Sequence, residues 1–361
     1  MWYNTKLTEL LGIRYPILQG PFGGGLSSVE LVATVSNLGG LGGYGAYTMS
    51  ASEIYAIDQQ IKAATDQPYN LNLWVSDTDA VDGTVSDEAY DKVKARFQPY
   101  FDETGIELPP KPAPFKSRFE DQIQAVLDIR PKVFSFMFGI PSADILEACR
   151  RRGIKLVGAA TTLDEALALQ NAGVDMIIAS GFEAGGHRPS FLAPAEQSLT
   201  GSFVLLQLIR EKVNLPIIAA GGIANGRGVA AALTLGADAA QIGTAFLACE
   251  ESGALPVHRE ALFSESARYT TLSRAFTGRL GRGINTGLAI EMIGKESGML
   301  PFPLQTSFMS SLRKAALEQQ KFDMVLFWGG QIAPILKHRK AAELMQSLTK
   351  ETTEILNQRS N

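Results

Sequence analysis

Of the three histidines in the chain, one directly follows two glycines, in Glu183-Ala184-Gly185-Gly186-His187. An imidazole is the side chain best suited to moving a proton near neutral pH. Glycines beside it let the backbone turn sharply and let a ligand approach closely. The preceding run, residues 174–181, reads as a buried strand, so His187 is expected on a loop at a strand end. Glu183, four residues earlier, either orients this loop or is solvated. His258 and His338 stand in charged, helix-like contexts and are expected at the surface. No second histidine is placed to join His187 and no carboxylate triad is evident, so no metal is expected. Cys149 and Cys249 are too few for a zinc site or a disulfide framework. They are read as buried small hydrophobes.

Two glycine turns form a second group. Ala220-Gly221-Gly222-Ile223 follows one predicted strand, and Gln241-Ile242-Gly243-Thr244 lies near the end of the next. Backbone N–H groups exposed at such turns attract a phosphate, so the pair predicts a phosphate site. A third group is amide-bearing: Gln19-Gly20-Pro21-Phe22 after a first short strand, and Asn70 and Asn72 in a third. Amides at strand ends could hydrogen-bond a planar heteroaromatic ring, or could simply cap turns. Gly40-Leu41-Gly42-Gly43-Tyr44-Gly45 spells G-x-G-x-x-G, but a helix precedes it and strand-like residues lie inside it. It is therefore read as a close-packed second strand and not a dinucleotide fingerprint.

These residues need a scaffold that gathers strand ends. Strands are predicted at 16–20, 41–47, 69–75, 132–138, 155–160, 174–180, 215–220 and 237–246, alternating with helices. Eight short apolar strands over about 245 residues fit a (β/α)8 TIM barrel, whose active sites lie on the loops after the strands. An open doubly wound sheet is the competing architecture, and the strand count disfavours it. Residues 76–118 are too long for an ordinary crossover. They hold a polar helix near 87–104 and a proline-rich run, and read as a surface excursion overhanging the site. After the eighth strand the texture changes. Residues 1–249 are expected to form the barrel, 250–335 a small, mostly helical cap inserted after it, and 336–361 a closing helix that returns to the barrel.

Composition narrows the class. Net charge is −4 with both signs interspersed, and no basic block suits nucleic acid. Arg150-Arg151-Arg152 reads as the charged end of a helix. The polar N-terminus is unlike a signal peptide, and no apolar run is long enough to span a bilayer. A cytoplasmic setting without membrane association is expected. No feature specifies an oligomeric state.

Taken together the motifs resemble the nitronate monooxygenase family, formerly 2-nitropropane dioxygenases, of the class that keeps a histidine in its glycine loop. The matching stretches are Gln19-Gly20-Pro21 with Leu38-Gly39-Gly40-Leu41-Gly42, Glu183-Ala184-Gly185-Gly186-His187-Arg188, Ala220-Gly221-Gly222-Ile223 with Gly226-Arg227-Gly228, Leu235-Gly236-Ala237-Asp238, Gln241-Ile242-Gly243-Thr244, Thr277-Gly278-Arg279 and Trp328-Gly329-Gly330-Gln331. The resemblance implies an FMN-containing TIM barrel with a helical cap over the flavin. It implies phosphate binding at Gly221, Gly222, Gly243 and Thr244, and flavin contacts near Gln19, Gly20, Pro21, Phe22 and Asn70 or Asn72. It also puts Glu183, Ala184, Gly185, Gly186, Ala220, Gln241, Trp328, Gly330 and Gln331 in the cofactor-binding set. His187 matches the family's base toward neutral nitroalkanes. The implied reaction is oxidation of alkyl nitronates by O2 to a carbonyl compound and nitrite, with one electron passed to FMN.

One departure is local. After Arg188 the chain has Pro189-Ser190-Phe191, where many relatives carry a glycine directly. Competing functions on the same scaffold are an FMN-dependent enoyl-thioester reductase using NAD(P)H, a flavin-binding barrel without turnover, and an aldolase-like phosphate-binding barrel without flavin.

Overall fold

A computed structural model describes residues 1–75, 85–113 and 117–358. Its strands are β1 (Ile17–Gln19), β2 (Gly42–Gly45), β3 (Tyr69–Trp74), β4 (Val133–Met137), β5 (Lys155–Ala160), β6 (Met176–Ser180), β7 (Gly186–His187), β8 (Ile217–Ala220), β9 (Ala239–Ile242), β10 (Thr270–Ser273) and β11 (Gly281–Ile284). Eight of them pair in parallel in the order β1-β9-β8-β6-β5-β4-β3-β2. The ring closes between β1 and β2, where Gln19 N–H donates to Leu41 O at 2.9 Å and Leu41 N–H to Ile17 O at 3.0 Å. The chain folds as a (β/α)8 barrel. Its strands are buried on both faces, which is why β5, β6, β8 and β9 read as short runs rich in Val, Ile, Leu and Ala, whereas β3 alternates Asn with apolar residues.

The intervening helices start where the sequence supplies caps. Ser28 Oγ accepts from Leu31 N–H and Thr162 Oγ1 from Glu165 N–H, each cap contributing about 1 kcal/mol. The glycines of β2 are demanded by packing. A Cβ on Gly42 would lie 2.2 Å from Val32 O, and one on Gly43 2.6 Å from Gln19 O. The G-x-G-x-x-G spelling therefore belongs to a strand pressed between its neighbours. The closing helix Ala341–Gln358 packs on the helices Gly226–Thr234 and Val29–Asn37. Its Glu351 accepts from Gly226 N–H at 3.0 Å.

The eighth barrel strand is shorter than the predicted 237–246. It stops at Ile242, Gly243 turns the chain, and Thr244–Leu247 forms a helical turn. All four residues of that turn are buried, so their apolar run looks like strand when read alone.

A second apolar core sits over the strand ends. It joins residues of 254–333 to Tyr90, Val93, Phe97 and Phe101. Those four lie along one face of the helix Asp87–Thr104, which packs on the helix Leu304–Glu318. The predicted excursion is thus part of a packed layer, because its charged face hides an aromatic stripe at helical spacing. Within that excursion, residues 76–84 and 114–116 lie outside the described residues, as do 359–361 of the closing segment. The region read as mostly helical also contains β10 and β11, which form a three-stranded antiparallel sheet with β7. Among the described residues no helix is long and apolar enough to cross a membrane.

Candidate active site

A cavity of ≈ 480 Å³ opens between the C-terminal ends of the barrel strands and the second core. The loop after β6 enters it. Glu183 is anchored at the start of the helix Ser202–Lys212: its carboxylate accepts from Ser202 N–H at 2.9 and 3.0 Å and from Ser202 Oγ at 3.1 Å. A carboxylate is favoured there by the helix dipole, so Glu183 orients the loop. Gly186 and His187 then pair antiparallel with Arg282 and Gly281 of β11. Arg188 N–H continues the pairing to Leu280 O at 2.8 Å. The layer over the barrel thereby holds the histidine loop by backbone hydrogen bonds.

A second strap crosses from the other side. Gln331 N–H donates to Glu183 O at 3.0 Å, and Gly330 N–H to Thr244 Oγ1 at 2.9 Å. A Cβ on Gly185 would meet Gly329 C at 2.6 Å, and one on Gly330 would meet Glu183 O at 2.9 Å. Gly185 and Gly330 are thus required for the two loops to touch.

His187 sits in an aromatic enclosure. Trp328 lies 4.7 Å away between ring centroids, Trp74 5.3 Å and Phe302 6.0 Å. Nε2 contacts Thr277 Oγ1 at 2.8 Å. Burial among these rings pushes the imidazole pKa down to about 3, so the ring is neutral at physiological pH. Tyr47 stacks on Trp74 at 3.6 Å. The Arg279 guanidinium lies 3.9 Å over Phe138 and 4.9 Å over Phe302. Burial lowers Arg279 to about 10 and raises the Tyr47 phenol to about 12, so one stays cationic and the other neutral.

The two predicted phosphate turns face the same cavity, which Ala220, Gly221, Gly222, Gln241, Gly243 and Thr244 all line. Gly221 and Gly222 have φ of +102° and +73°, a region costly for other residues. A Cβ on Gly222 would meet nothing nearer than 3.7 Å, and on Gly243 nothing nearer than 3.9 Å. Neither turn is crowded, and both line the cavity. Phe136, Ala159 and Ile178 give an apolar floor from the barrel interior. Open glycine turns above an apolar floor fit a planar cofactor that carries a phosphate.

Gly20, Pro21, Phe22 and Asn72 line the cavity, as do Ala184, Gly185, Gly186 and Trp328. Three predicted residues do not. Gln19 is buried and spends its amide on the backbone, accepting from Gly43 N–H at 2.8 Å and donating to Gly20 O. Gln331 is exposed and joins the site only through its backbone N–H. Asn70 lies deeper on β3 and its buried Oδ1 has no partner among the described residues. Asn72, two residues nearer the strand end, holds Ser135 through Nδ2 at 2.9 Å.

His258, expected at the surface, is 5% exposed and lines the cavity. It occupies the inner face of the helix Pro256–Phe263, and its Nε2 contacts Trp328 O at 2.8 Å. The charges around it in sequence fall on the helix's other faces. Other site residues had weaker signals. Trp74 continues the alternation of Asn70 and Asn72 along β3, whereas Tyr47 and Phe302 arrive from distant segments. The segment after Arg188 is held by Glu165, a fully buried carboxylate that accepts from Phe191 N–H at 2.6 Å and Leu192 N–H at 3.2 Å. Pro189 lines the cavity wall.

A family model described as nitronate monooxygenase matches residues 4–351. A protein of Staphylococcus haemolyticus named probable nitronate monooxygenase is 37% identical over 358 residues, covering 99% of each chain. Among solved structures, a nitroalkane oxidase from Streptomyces ansochromogenes matches with a TM-score of 0.88 at 32% identity, covering 97% of this chain and 99% of that one. FabK from Thermotoga maritima matches with a TM-score of 0.76 at 27% identity, covering 99% and 98%. With a match running from end to end, and with a neutral histidine set at the barrel mouth, the chain is an oxidoreductase that belongs to the nitronate monooxygenase family.

Proposed function

We propose that the chain uses FMN and O2 to oxidise alkyl nitronates, and neutral nitroalkanes by way of them, to a carbonyl compound and nitrite. The observation that carries this reading is His187, a neutral imidazole on the wall of a cavity with open glycine turns beside it. The likeness to a nitroalkane oxidase over nearly the whole chain supports it.

In this reading Gly221, Gly222, Gly243 and Thr244 hold the phosphate through backbone N–H groups. Pro21, Phe22 and Asn72 flank the ring system, together with the 183–186 loop, Ala220, Gln241 and Gly330. Trp328 closes over His187. FMN, when bound, supplies the one-electron redox chemistry toward substrate and O2. Residues 1–249 carry it as the barrel, and 250–335 cover it with help from the 85–113 segment. The closing segment, with the helix Ala341–Gln358, returns to the barrel.

The protein's own part is proton chemistry and exclusion of water. A neutral imidazole can take the proton from the carbon bearing a nitro group. The nitronate anion that results lies beside the new imidazolium, and this opposite charge favours the protonated ring that burial alone disfavours. The aromatic enclosure keeps water from competing with the transfer.

The test is an anaerobic mixing experiment on the purified holoprotein, followed by admission of O2. Bleaching of the flavin by a nitronate, then oxygen-dependent nitrite release, is the expected result. Rapid bleaching by NADH or NADPH with no nitrite from any nitronate would favour a thioester-directed reductase. A colourless protein would remove the flavin from the proposal.

A further inference from the structure

We propose that Thr277 is a positioning residue that fixes His187 as the Nε2–H tautomer and so leaves Nδ1 as the nitrogen that receives the substrate proton. The proposal rests on the base role given to His187 above.

Among the described residues the hydroxyl of Thr277 has three polar contacts. Oγ1 lies 2.8 Å from His187 Nε2, donates to Arg279 O at 3.1 Å and accepts from Arg279 N–H at 3.3 Å. A threonine hydroxyl has one proton to give and two lone pairs with which to accept. All three contacts are satisfied together only when the proton goes to Arg279 O and His187 donates its Nε2–H. The opposite arrangement would turn the hydroxyl toward Nε2 and take its proton away from Arg279 O. It would also put a proton on Nδ1.

The ring's orientation agrees. The Cδ2 edge, next to Nε2, faces β11: a Cβ on Gly281 would stand 3.1 Å from His187 Cδ2. Nδ1 is across the ring from that edge. It has no hydrogen-bond partner among the described residues, and it is not among the buried side-chain atoms left without one. An accessible nitrogen with a lone pair is what a base in a cavity requires. On transfer, the C–H bond of the nitroalkane breaks, its electron pair stays in the nitronate and the proton binds Nδ1. Nε2 keeps its own proton and its bond to Thr277 throughout. In the opposite tautomer the lone pair would point at Thr277, and the cavity would meet an N–H that cannot accept.

Fifteen-nitrogen NMR of the imidazole in the holoprotein reads the tautomer without any turnover. The expected spectrum has a protonated Nε2 and an unprotonated Nδ1. Thr277→Ser should keep this pattern and the activity. Thr277→Val, close in shape but without the hydroxyl, should shift the pattern toward Nδ1–H. Its kcat/KM on a neutral nitroalkane should fall at least ten-fold, while oxidation of the preformed nitronate changes less than three-fold. A wild-type spectrum with the proton on Nδ1 would overturn the proposal whatever the activities. So would a Thr277→Val protein with the wild-type pattern and rate. If the tautomer is as expected and responds to Thr277→Val, but the variant loses nitroalkane and nitronate oxidation equally, the positioning of the ring stands. The base role of His187, and with it Nδ1 as proton acceptor, then falls.

Discussion

Gly281 lies opposite His187 across the β7–β11 pairing, and a single added carbon there would stand 3.1 Å from the imidazole and 2.7 Å from the Trp328 ring. The strand that grips the histidine loop by its backbone thus leaves room for the side chain by having none of its own. Gly281→Ala should push the imidazole or the indole out of place. Displacing a catalytic group by about 1 Å costs on the order of 100-fold in rate. The imidazole need give by only a few tenths of an ångström, so a loss in kcat/KM smaller than that, with flavin content maintained, is expected from steady-state kinetics and absorbance. A variant with unchanged kinetics would mean that the neighbours give way harmlessly.

His187→Asn separates proton removal from oxidation. The variant should retain cofactor, because the 183–187 loop is held by its backbone and by Glu183 and not by the imidazole. General-base catalysis is worth roughly 100- to 10,000-fold, so oxidation of neutral nitroalkanes should fall by that order. Preformed nitronates, which need no deprotonation, should lose far less. Equal losses on the two substrates, measured by oxygen uptake, would count against a base.

Bulky residues at the glycine turns test where the phosphate sits. Gly222 has φ of +73°, and a Cβ there would be in ordinary contact with Glu183 and Ser202 from 3.7 Å outward; at Gly243 the neighbour is Phe22 at 3.9 Å. Gly243→Val, which adds side-chain volume without a positive-φ penalty, should purify with less flavin. Gly222→Val should do the same and also be less stable, by about 1–2 kcal/mol for the left-handed backbone. Full flavin content in both proteins would show that the phosphate lies elsewhere.

Acid sensitivity follows from the two imidazoles that line the cavity, His258 buried and His187 half-buried. Burial lowers His187 to about 3 and His258 to about 4, the latter helped by the nearby Arg313 and Arg259 and opposed by its bond to Trp328 O. Both titrate near 6.5 when unfolded. The unfolded chain therefore binds protons that the native state refuses, and stability is lost as pH falls from about 6.5 toward 4. Each imidazole contributes about 1.4 kcal/mol per pH unit in that window. Denaturant midpoints between pH 7 and 5 should drop steeply, and less steeply for His258→Gln. An identical pH slope in that variant would show that His258 is protonated in the native state.

Much of this protein could be read along the chain. Eight short, mostly apolar runs alternating with helices specify a barrel because parallel strands buried on both faces leave that signature, and His187, Gly222 and Gly243 were marked by lying at the ends of such runs. Local chemistry was enough there: a glycine turn after a strand is visible without its neighbours. What lay across the chain was not visible. Along the chain Gln19 reads as either a ring-binding or a turn-capping amide, and only the fold shows its oxygen accepting from Gly43; His258 reads as solvated until its helix turns it toward Trp328. The Asp87–Thr104 helix showed its charges and concealed the partner for Tyr90, Val93, Phe97 and Phe101. Which nitrogen of His187 carries the proton is the sharpest case, since it depends on a hydroxyl ninety residues away. Periodicity and turn chemistry are local and fix where strand ends fall. Hydrogen-bond partners and the low-dielectric enclosure that keeps His187 neutral come from several distant segments at once, and only the folded chain brings them together.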